Sequence, residues 1–319
     1  MNYFDVCPRG KTIRNLEVMT HESLFEFKKI CCPVCGGDVP KFLGWRGGDA
    51  HQRGVGEKTA IVRCKKCSHQ YPNPMPFPKV GLGEVYVDAD EYFSGHDVEL
   101  KKKNGLGLMR EFEQKRGKRG KFLDVGCGAG ELLWAAKTSG WEAEGIDPSK
   151  EFIEIGRERL GVEGRIGILE EANFPANYFD AVAMSSLIEH LYNPLELLRE
   201  VHRVLRPDGW LWFDAPNEDG LYMQFGNLYM RLQRRDWVVV MAPTFPPYHV
   251  QGFNPKSLLK LLDRAGFECG EMEIVGGVYE QKGEKTLRKK IEFNAAKIIN
   301  QIGKMLNKGS YMSIWAQKI

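Results

Sequence analysis

One run constrains what this chain can fold into more than any other: Phe122-Leu123-Asp124-Val125-Gly126-Cys127-Gly128-Ala129-Gly130. Apolar residues lead into an acid, glycines then alternate, and Glu131-Leu132-Leu133-Trp134-Ala135-Ala136 continues at helical spacing. The pattern predicts a buried strand, a tight turn and a helix N-terminus. Glycine suits such a turn because a Cβ would oppose positive φ and hold a ligand away from the backbone. The unpaired N–H groups at the helix start favour an anionic group, so a nucleotide-like ligand is expected.

The glycine spacing narrows the ligand. A dinucleotide fingerprint reads G-x-G-x-x-G, whereas this loop reads D-x-G-x-G-x-G. A second strand-like run, Trp141 to Ile146, ends at Asp147, where a carboxylate can accept both hydroxyls of a ribose. Phe179–Met184 reads as a fourth strand, followed by Leu187-Ile188-Glu189-His190-Leu191-Tyr192-Asn193-Pro194. Arg203–Phe213 supplies a turn and a fifth strand, and Tyr311–Ala316 the last.

Taken in order from about residue 120 to the C-terminus, these stations resemble the class I S-adenosylmethionine-dependent methyltransferases. The resemblance implies an α/β, Rossmann-like, doubly wound seven-stranded sheet whose last strand is antiparallel. It also implies S-adenosylmethionine as cofactor. Asp124, Gly126, Cys127, Gly128 and Gly130 would surround its methionine end. Asp147 would hold the ribose, with Ile146 beside the adenine. Leu169 and Glu170, after the third strand, would meet the adenine edge, and Ser185 would close the cofactor side. For catalysis the resemblance points to His190, in the loop after the fourth strand, with Glu189 beside it and His249 later. Asn193 is placed to cap the next helix and Pro194 to occupy its first position. Some ubiquinone-pathway and small-RNA 2′-O-methyltransferases resemble this loop and bind a divalent ion through Glu-x-x-Glu-His plus a later histidine. Here Ser186 replaces the first glutamate, which argues against Mg²⁺.

Cysteines carry a second signal. Cys32-Pro33-Val34-Cys35 and Cys64-Lys65-Lys66-Cys67 form two C-x₂-C pairs separated by 28 residues, which predicts a structural zinc ribbon with a closed, four-thiolate site. Two disulfides are the rival arrangement, disfavoured in a reducing compartment. Cys31 reads as a bystander, and His69 as a ligand only if a cysteine is displaced. Cys7, Cys127 and Cys269 read as unpaired thiols. The proline run Tyr71–Pro78 predicts an extended tether, which places an N-terminal segment with its ribbon in residues 1–75 and the methyltransferase domain in 76–319. Tyr86, Tyr92 and Phe93 are expected to help cover the cofactor.

Between the fifth strand and His249, residues 215–248 form an insertion rich in aromatics, with Arg231, Arg234 and Arg235 beside them. It is expected to be an acceptor lid, suited to a sugar nucleotide or another phosphorylated small molecule. Part of its apolar set would pack on the sheet. A later stretch opens with Lys282, Lys285, Arg288, Lys289 and Lys290 and carries Leu287, Ile291, Ala295, Ile298, Ile302 and Met305 on one face. That face is expected to pack into the domain, with peripheral membrane contact as the alternative.

Zinc ribbon, tether and core together resemble bacterial methyltransferases of sugar-nucleotide and surface-polysaccharide pathways, and sugar C-methyltransferases with an N-terminal zinc domain. RNA methylation and a non-catalytic cofactor-binding module are the alternatives. A net charge of only +3 argues against a nucleic-acid partner, and the intact loop with Asp147 argues against a degenerate module. No charged-then-apolar leader and no apolar run of spanning length is seen, so a cytoplasmic enzyme is expected. The acceptor atom and the oligomeric state stay open.

Overall fold

A computed structural model describes residues 23–80, 97–239, 241–276 and 287–319, with backbone alone for 287–292. Tyr86, Tyr92, Phe93, Cys7, Lys282 and Lys285 lie outside the described residues.

The N-terminal part consists of strands β1 (Phe25–Lys28), β2 (Pro40–Arg46), β3 (Thr59–Cys64), β4 (Gln70–Pro72) and β5 (Met75–Pro78). Strands β2, β3 and β4 form an antiparallel sheet in that order, while β1 pairs with β5. The proline run is therefore extended but not a free tether. β5 straddles the boundary expected at 75/76, held by its ladder with β1.

Helix α1 (Val98–Arg116) precedes β6 (Lys121–Val125), α2 (Glu131–Thr138), β7 (Glu142–Asp147), α3 (Lys150–Leu160), β8 (Arg165–Ile166) and β9 (Phe179–Met184). Next come α4 (Pro194–Val204), β10 (Leu205–Pro216), α5 (Leu221–Leu232), α6 (Pro255–Ala265), β11 (Phe267–Val275), α7 (Leu287–Met305) and β12 (Tyr311–Lys318). Seven strands form one sheet in the order β11-β12-β10-β9-β6-β7-β8. Strand β12 runs antiparallel to both its neighbours, and the remaining pairs within β10-β9-β6-β7-β8 are parallel. This is the expected architecture. Strand β9 is buried along its whole length, as a central parallel strand covered on both faces must be.

Local chemistry explains the helix starts. Asn193 accepts from the Glu196 N–H with Pro194 at the first position of α4, Ser149 caps α3, and Asn254 and Ser257 form a capping box on α6. Each satisfies N–H groups that a helix start leaves unpaired.

The two parts are joined by backbone pairing. Gln70 of β4 exchanges both backbone hydrogen bonds with Gly252, at 2.9 and 2.8 Å. The Trp45 N–H donates to Asp236 O, and the Val238 N–H donates to Trp45 O. The Glu57 N–H donates to Thr244 Oγ1, which donates back to Glu57 O. The ribbon thus pairs with the insertion and with the segment after His249.

The long C-terminal helix departs from expectation. Its predicted inward stripe faces out: Ala295, Ile298, Ile302 and Met305 are exposed, while Ala296, Asn300 and Gly303 are buried. Small residues on the inner side permit close approach. A Cβ on Gly303 would lie 3.3 Å from Leu221 Cβ, so α7 packs on α5 through its narrow face. Helix α5 likewise buries only Met230; Tyr222, Phe225, Leu228, Tyr229 and Leu232 are exposed and do not pack on the sheet. Among the described residues, no helix is long and apolar enough to cross a membrane.

Candidate active site and metal centre

The loop from β6 to α2 takes the geometry its glycines allow. Gly126, Gly128 and Gly130 have φ of 71°, 52° and 82°, in the left-handed region that a Cβ disfavours. A Cβ on Gly130 would sit 2.6 Å from Val162 Cγ2, and one on Gly126 would sit 2.9 Å from Leu187 Cδ1. One on Gly128 would meet nothing within 4 Å, so the middle of the turn is open. Ile146 O accepts from the Gly126 and Cys127 N–H groups and ties the loop to the next strand.

Three acids converge there. Asp147 Oδ2 accepts from the Gly128 N–H at 2.9 Å, and its Oδ1 accepts from the Ser149 N–H at 2.8 Å. A carboxylate has roughly four acceptor positions, so capacity remains for hydroxyl donors. Burial raises its pKa above the usual range even against those two donors. Asp124 is 2% exposed and its Oδ2 has no hydrogen-bond partner. Burial, reinforced by the Asp147 and Glu131 carboxylates, pushes it up to about 8. Glu131, which sequence reasoning passed over, is 7% exposed with an unpartnered Oε1, and Lys101 Nζ approaches that oxygen only to 3.8 Å. Buried acids with free lone pairs are costly unless cations or donors complete them. S-adenosylmethionine, which carries an ammonium, a sulfonium and a ribose diol, fits this set. The sign that Glu131 belonged here was an acid at the first helical position after the glycine loop.

Other predicted cofactor residues divide. Ile146 and Leu169 are core members, 2% and 1% exposed. Ser185 and Glu170 are exposed. The Cys127 sulfur packs inward, since Cβ atoms on Gly145 and Gly164 would lie 3.0 and 3.1 Å from it. Its side chain belongs to the sheet packing, and burial raises its thiol pKa.

A second cluster lies in the loop that Leu187 ties to Gly126. Glu189, His190 and His249 bring ligand atoms within 4.8 Å of one another. His249 Nε2 is 3.9 Å from Glu189 Oε1, and the two imidazoles meet edge to face at 4.8 Å. Glu189 is 1% exposed and neither of its oxygens has a hydrogen-bond partner. Burial, with the Asp214 carboxylate adding to it, pushes its pKa up to about 8. Burial draws His190 down to about 4, against hydrogen bonds to the backbone of Tyr248 and Pro247. Burial and then His190 hold His249 well below the ordinary imidazole value. Both rings are therefore neutral near pH 7. The cluster can accept a proton or hold a cation. Ser186, at the position of the missing first glutamate, is exposed and donates its N–H to Asp214 Oδ1 at 2.6 Å.

The four ribbon cysteines also converge. Cys32 and Cys67 sulfurs are 3.5 Å apart, as are those of Cys35 and Cys64, and all four lie within 4.8 Å. A tetrahedron with metal–sulfur bonds of about 2.3 Å has edges of about 3.8 Å, whereas a disulfide is about 2.05 Å. The set fits a zinc ion and does not form disulfides. Gly37 leaves room beside the sulfurs, since a Cβ there would lie 3.1 Å from Cys64 Sγ.

His69 is no ligand. Its Nε2 pairs with Gln251 Oε1 at 2.7 Å, and its ring stacks on Tyr71 and tilts against Phe253. Gln251 donates its Nε2–H to Leu191 O at 2.7 Å, and its backbone N–H to Glu189 O at 2.9 Å. A buried polar chain thus runs from the cysteine knuckle to the Glu189 loop. Two residues alone, a histidine and a glutamine 182 apart, could not reveal it in sequence.

Fold and sites together describe a Rossmann-like domain whose glycine corner and buried acids suit an adenosyl cofactor. Residues 99–271 match the methyltransferase domain family, and the chain belongs to that family; it is an S-adenosylmethionine-dependent methyltransferase. Similar proteins include the ubiquinone biosynthesis O-methyltransferase of Actinobacillus pleuropneumoniae serotype 5b (strain L20), 29% identical over 164 residues, covering 48% of this chain and 68% of the relative. Another is the uncharacterized methyltransferase YcgJ of Bacillus subtilis (strain 168), 32% identical over 170 residues, 50% of this chain and 62% of the relative. A crystal structure of a SAM-dependent methyltransferase from Archaeoglobus fulgidus shares the fold, with a TM-score of 0.50 at 22% identity, over 72% of this chain and 100% of that one.

Proposed function

We propose that the chain moves a methyl group from S-adenosylmethionine to a hydroxyl of a sugar nucleotide or glycan precursor, with Glu189 as base. The carrying observation is a buried carboxylate with both oxygens unpartnered, 3.9 Å from His249. S-adenosylmethionine supplies an already activated, electrophilic methyl group. The chain's work is to hold it, align the acceptor and remove one proton. Asp147 takes the ribose hydroxyls. Asp124 and Glu131 face the positive groups of the methionine end, and Gly126, Gly128 and Gly130 allow backbone approach. Ile146, Leu169, Glu170, Ser185 and Cys127 complete that side, Cys127 through its backbone. An acceptor O–H donates to Glu189, which takes the proton as the O–CH₃ bond forms and the S–CH₃ bond breaks. His190 and His249, both neutral, orient that hydroxyl.

No Mg²⁺ is assigned to the cluster, because one carboxylate and two imidazoles make a poor shell for a hard cation. Zinc at Cys32, Cys35, Cys64 and Cys67 is structural, since four thiolates leave no open position. Residues 1–75 then shape the acceptor side, 76–319 carry the cofactor, and the insertion 215–248 forms the lid. Transfer to oxygen is also what the name of the ubiquinone-pathway relative describes. Peripheral membrane contact is supported by the outward apolar faces of α5 and α7 and by residues 221–235, which hold three arginines and no acid. Methyl-transfer profiling of nucleotide sugars, sugar phosphates, phenols and RNA tests the reading. Methylation of phenols or RNA alone would overturn it.

A further inference from the structure

Beyond the transfer site, the ribbon and α5 face each other across a cleft of about 630 Å³, within the usual size of small-molecule sites. Lys41, Leu43, Arg63 and Gln70 of the ribbon form one wall; Gln224, Phe225, Leu228 and Arg231 of α5 form the other. Glu218 joins them from the segment between β10 and α5. Resting on the function proposed above, we infer that this cleft binds the phosphorylated part of the sugar acceptor, so that the zinc ribbon is a substrate-recognition wall.

Its chemistry selects that class. Glu218 is 4% exposed and its Oε2 has no hydrogen-bond partner. A carboxylate so placed accepts hydroxyl donors, and a sugar offers them in adjacent pairs. Lys41 and Arg231 have no ion-pair partner among the described residues, whereas Arg63 is bound to Asp219 at 2.5 Å. Two free cations above a buried acceptor suit a ligand with an anionic end and a hydroxylated end. Phe225, half exposed, offers a flat apolar face for a ring. A purely apolar guest would leave the buried Glu218 oxygen without a donor. The buried Glu218 carboxylate likewise disfavours a continuous phosphate backbone.

The cleft is coupled to the transfer site through one short segment. The Glu218 N–H donates to Phe253 O at 2.8 Å, and a Cβ on Gly252 would lie 3.0 Å from Glu218 Cγ. The same segment begins at His249, and its Val250 and Gln251 N–H groups both donate to Glu189 O at 2.9 Å. A ligand seated against Glu218 therefore borders the segment that holds the base.

The test is steady-state methyl transfer by the zinc-loaded full chain with UDP-glucose, glucose 1-phosphate and glucose as acceptors. Lys41→Ala and Arg231→Ala change exposed side chains and keep the test valid should Glu218→Gln fail to fold. Each should raise the acceptor KM about tenfold, with kcat and the S-adenosylmethionine KM held within about twofold. Glucose should be the poorest acceptor. The ratio of UDP-glucose to glucose 1-phosphate tells whether the anion comes from a nucleotide diphosphate or a simple phosphate ester. Glu218→Gln should weaken the two sugar phosphates and leave inorganic phosphate binding by calorimetry unchanged. Transfer with wild-type KM in all three variants overturns the cleft assignment and leaves the proposed function standing. No transfer to, and no binding of, either sugar phosphate while S-adenosylhomocysteine still binds overturns both.

Discussion

Replacing Asp147 separates a carboxylate kept for a ligand from one kept for the fold. In the folded chain it accepts two backbone N–H groups, at 2.9 and 2.8 Å. Such bonds to a charged acceptor contribute about 1.5–3 kcal/mol each when nothing opposes them. Burial does oppose them: the pKa of Asp147 is raised, so holding it ionised costs more than the two donors return. Asp147→Asn should therefore change stability little, and we expect a melting temperature within about 3 °C of wild type, roughly 1 kcal/mol for a domain of this size. The ligand has no such offset. Two ribose hydroxyls lose charge-assisted bonds worth about 3 kcal/mol together at the low end, which is about two decades in Kd. Calorimetry with S-adenosylhomocysteine, alongside thermal melts, reads both quantities. A Kd within about threefold of wild type refutes the ribose role. A large fall in melting temperature with intact affinity shows instead that the carboxylate serves the loop.

Further outcomes are expected, the first two of them from Glu189. Transfer should accelerate as pH rises toward and through about 8, because Glu189 must lose the proton that burial helps it keep, while His190, near 4, is already neutral. Glu189→Gln should remove that limb and slow transfer about a hundredfold or more; a pH profile unchanged in that variant would sink the assignment. The same group makes the ligand-free fold bind more protons than the unfolded chain between 4.5 and about 8, so its contribution to stability declines as pH rises through that window. Metal analysis should find one zinc per chain, and Cys35→Ser with Cys64→Ser should release it and lower transfer while S-adenosylhomocysteine affinity holds. Full turnover without zinc would contradict this. Gly130→Ala should destabilise by roughly 2–3 kcal/mol, combining a left-handed φ with the Val162 clash, and Gly128→Ala by about 1–2 kcal/mol with a loss of cofactor affinity. Equal melting of the two would argue against the clash. Flotation should carry the protein with phosphatidylglycerol vesicles and not with phosphatidylcholine alone, and replacing Tyr222, Tyr229 and Leu232 with serine should abolish it; equal binding to both lipids would deny the basic face a role.

The glycine corner and the acids beside it were legible because their geometry is local. An apolar strand, glycines where φ turns positive, an acid at the next strand tip and Asn193 before Pro194 all act over a few residues. The paired cysteines were legible for the same reason, since each knuckle is one tight turn. The sheet was expected from the family resemblance that those stations, taken in order, carry. What stayed hidden required knowing what packs against what. The stripe Ala295, Ile298, Ile302 and Met305 has helical periodicity, yet it faces outward because Ala296 and Gly303 let α7 approach α5 more closely on the other side. Periodicity shows that a helix has an apolar face, not which face is covered.

The chain's residue order sufficed for the glycine corner and the paired thiols, since short-range sterics and donor chemistry decide each, while the sheet was read from the family resemblance that its stations carry. Only tertiary packing decided that Glu131 joins Asp124 and Asp147, that His69 reaches Gln251 and not the four sulfurs, and that Glu218 keeps an unpartnered oxygen at a cleft shared with the ribbon. Those outcomes depend on which distant groups exclude water from one another, and desolvation is a property of the assembled interior, not of any segment within it.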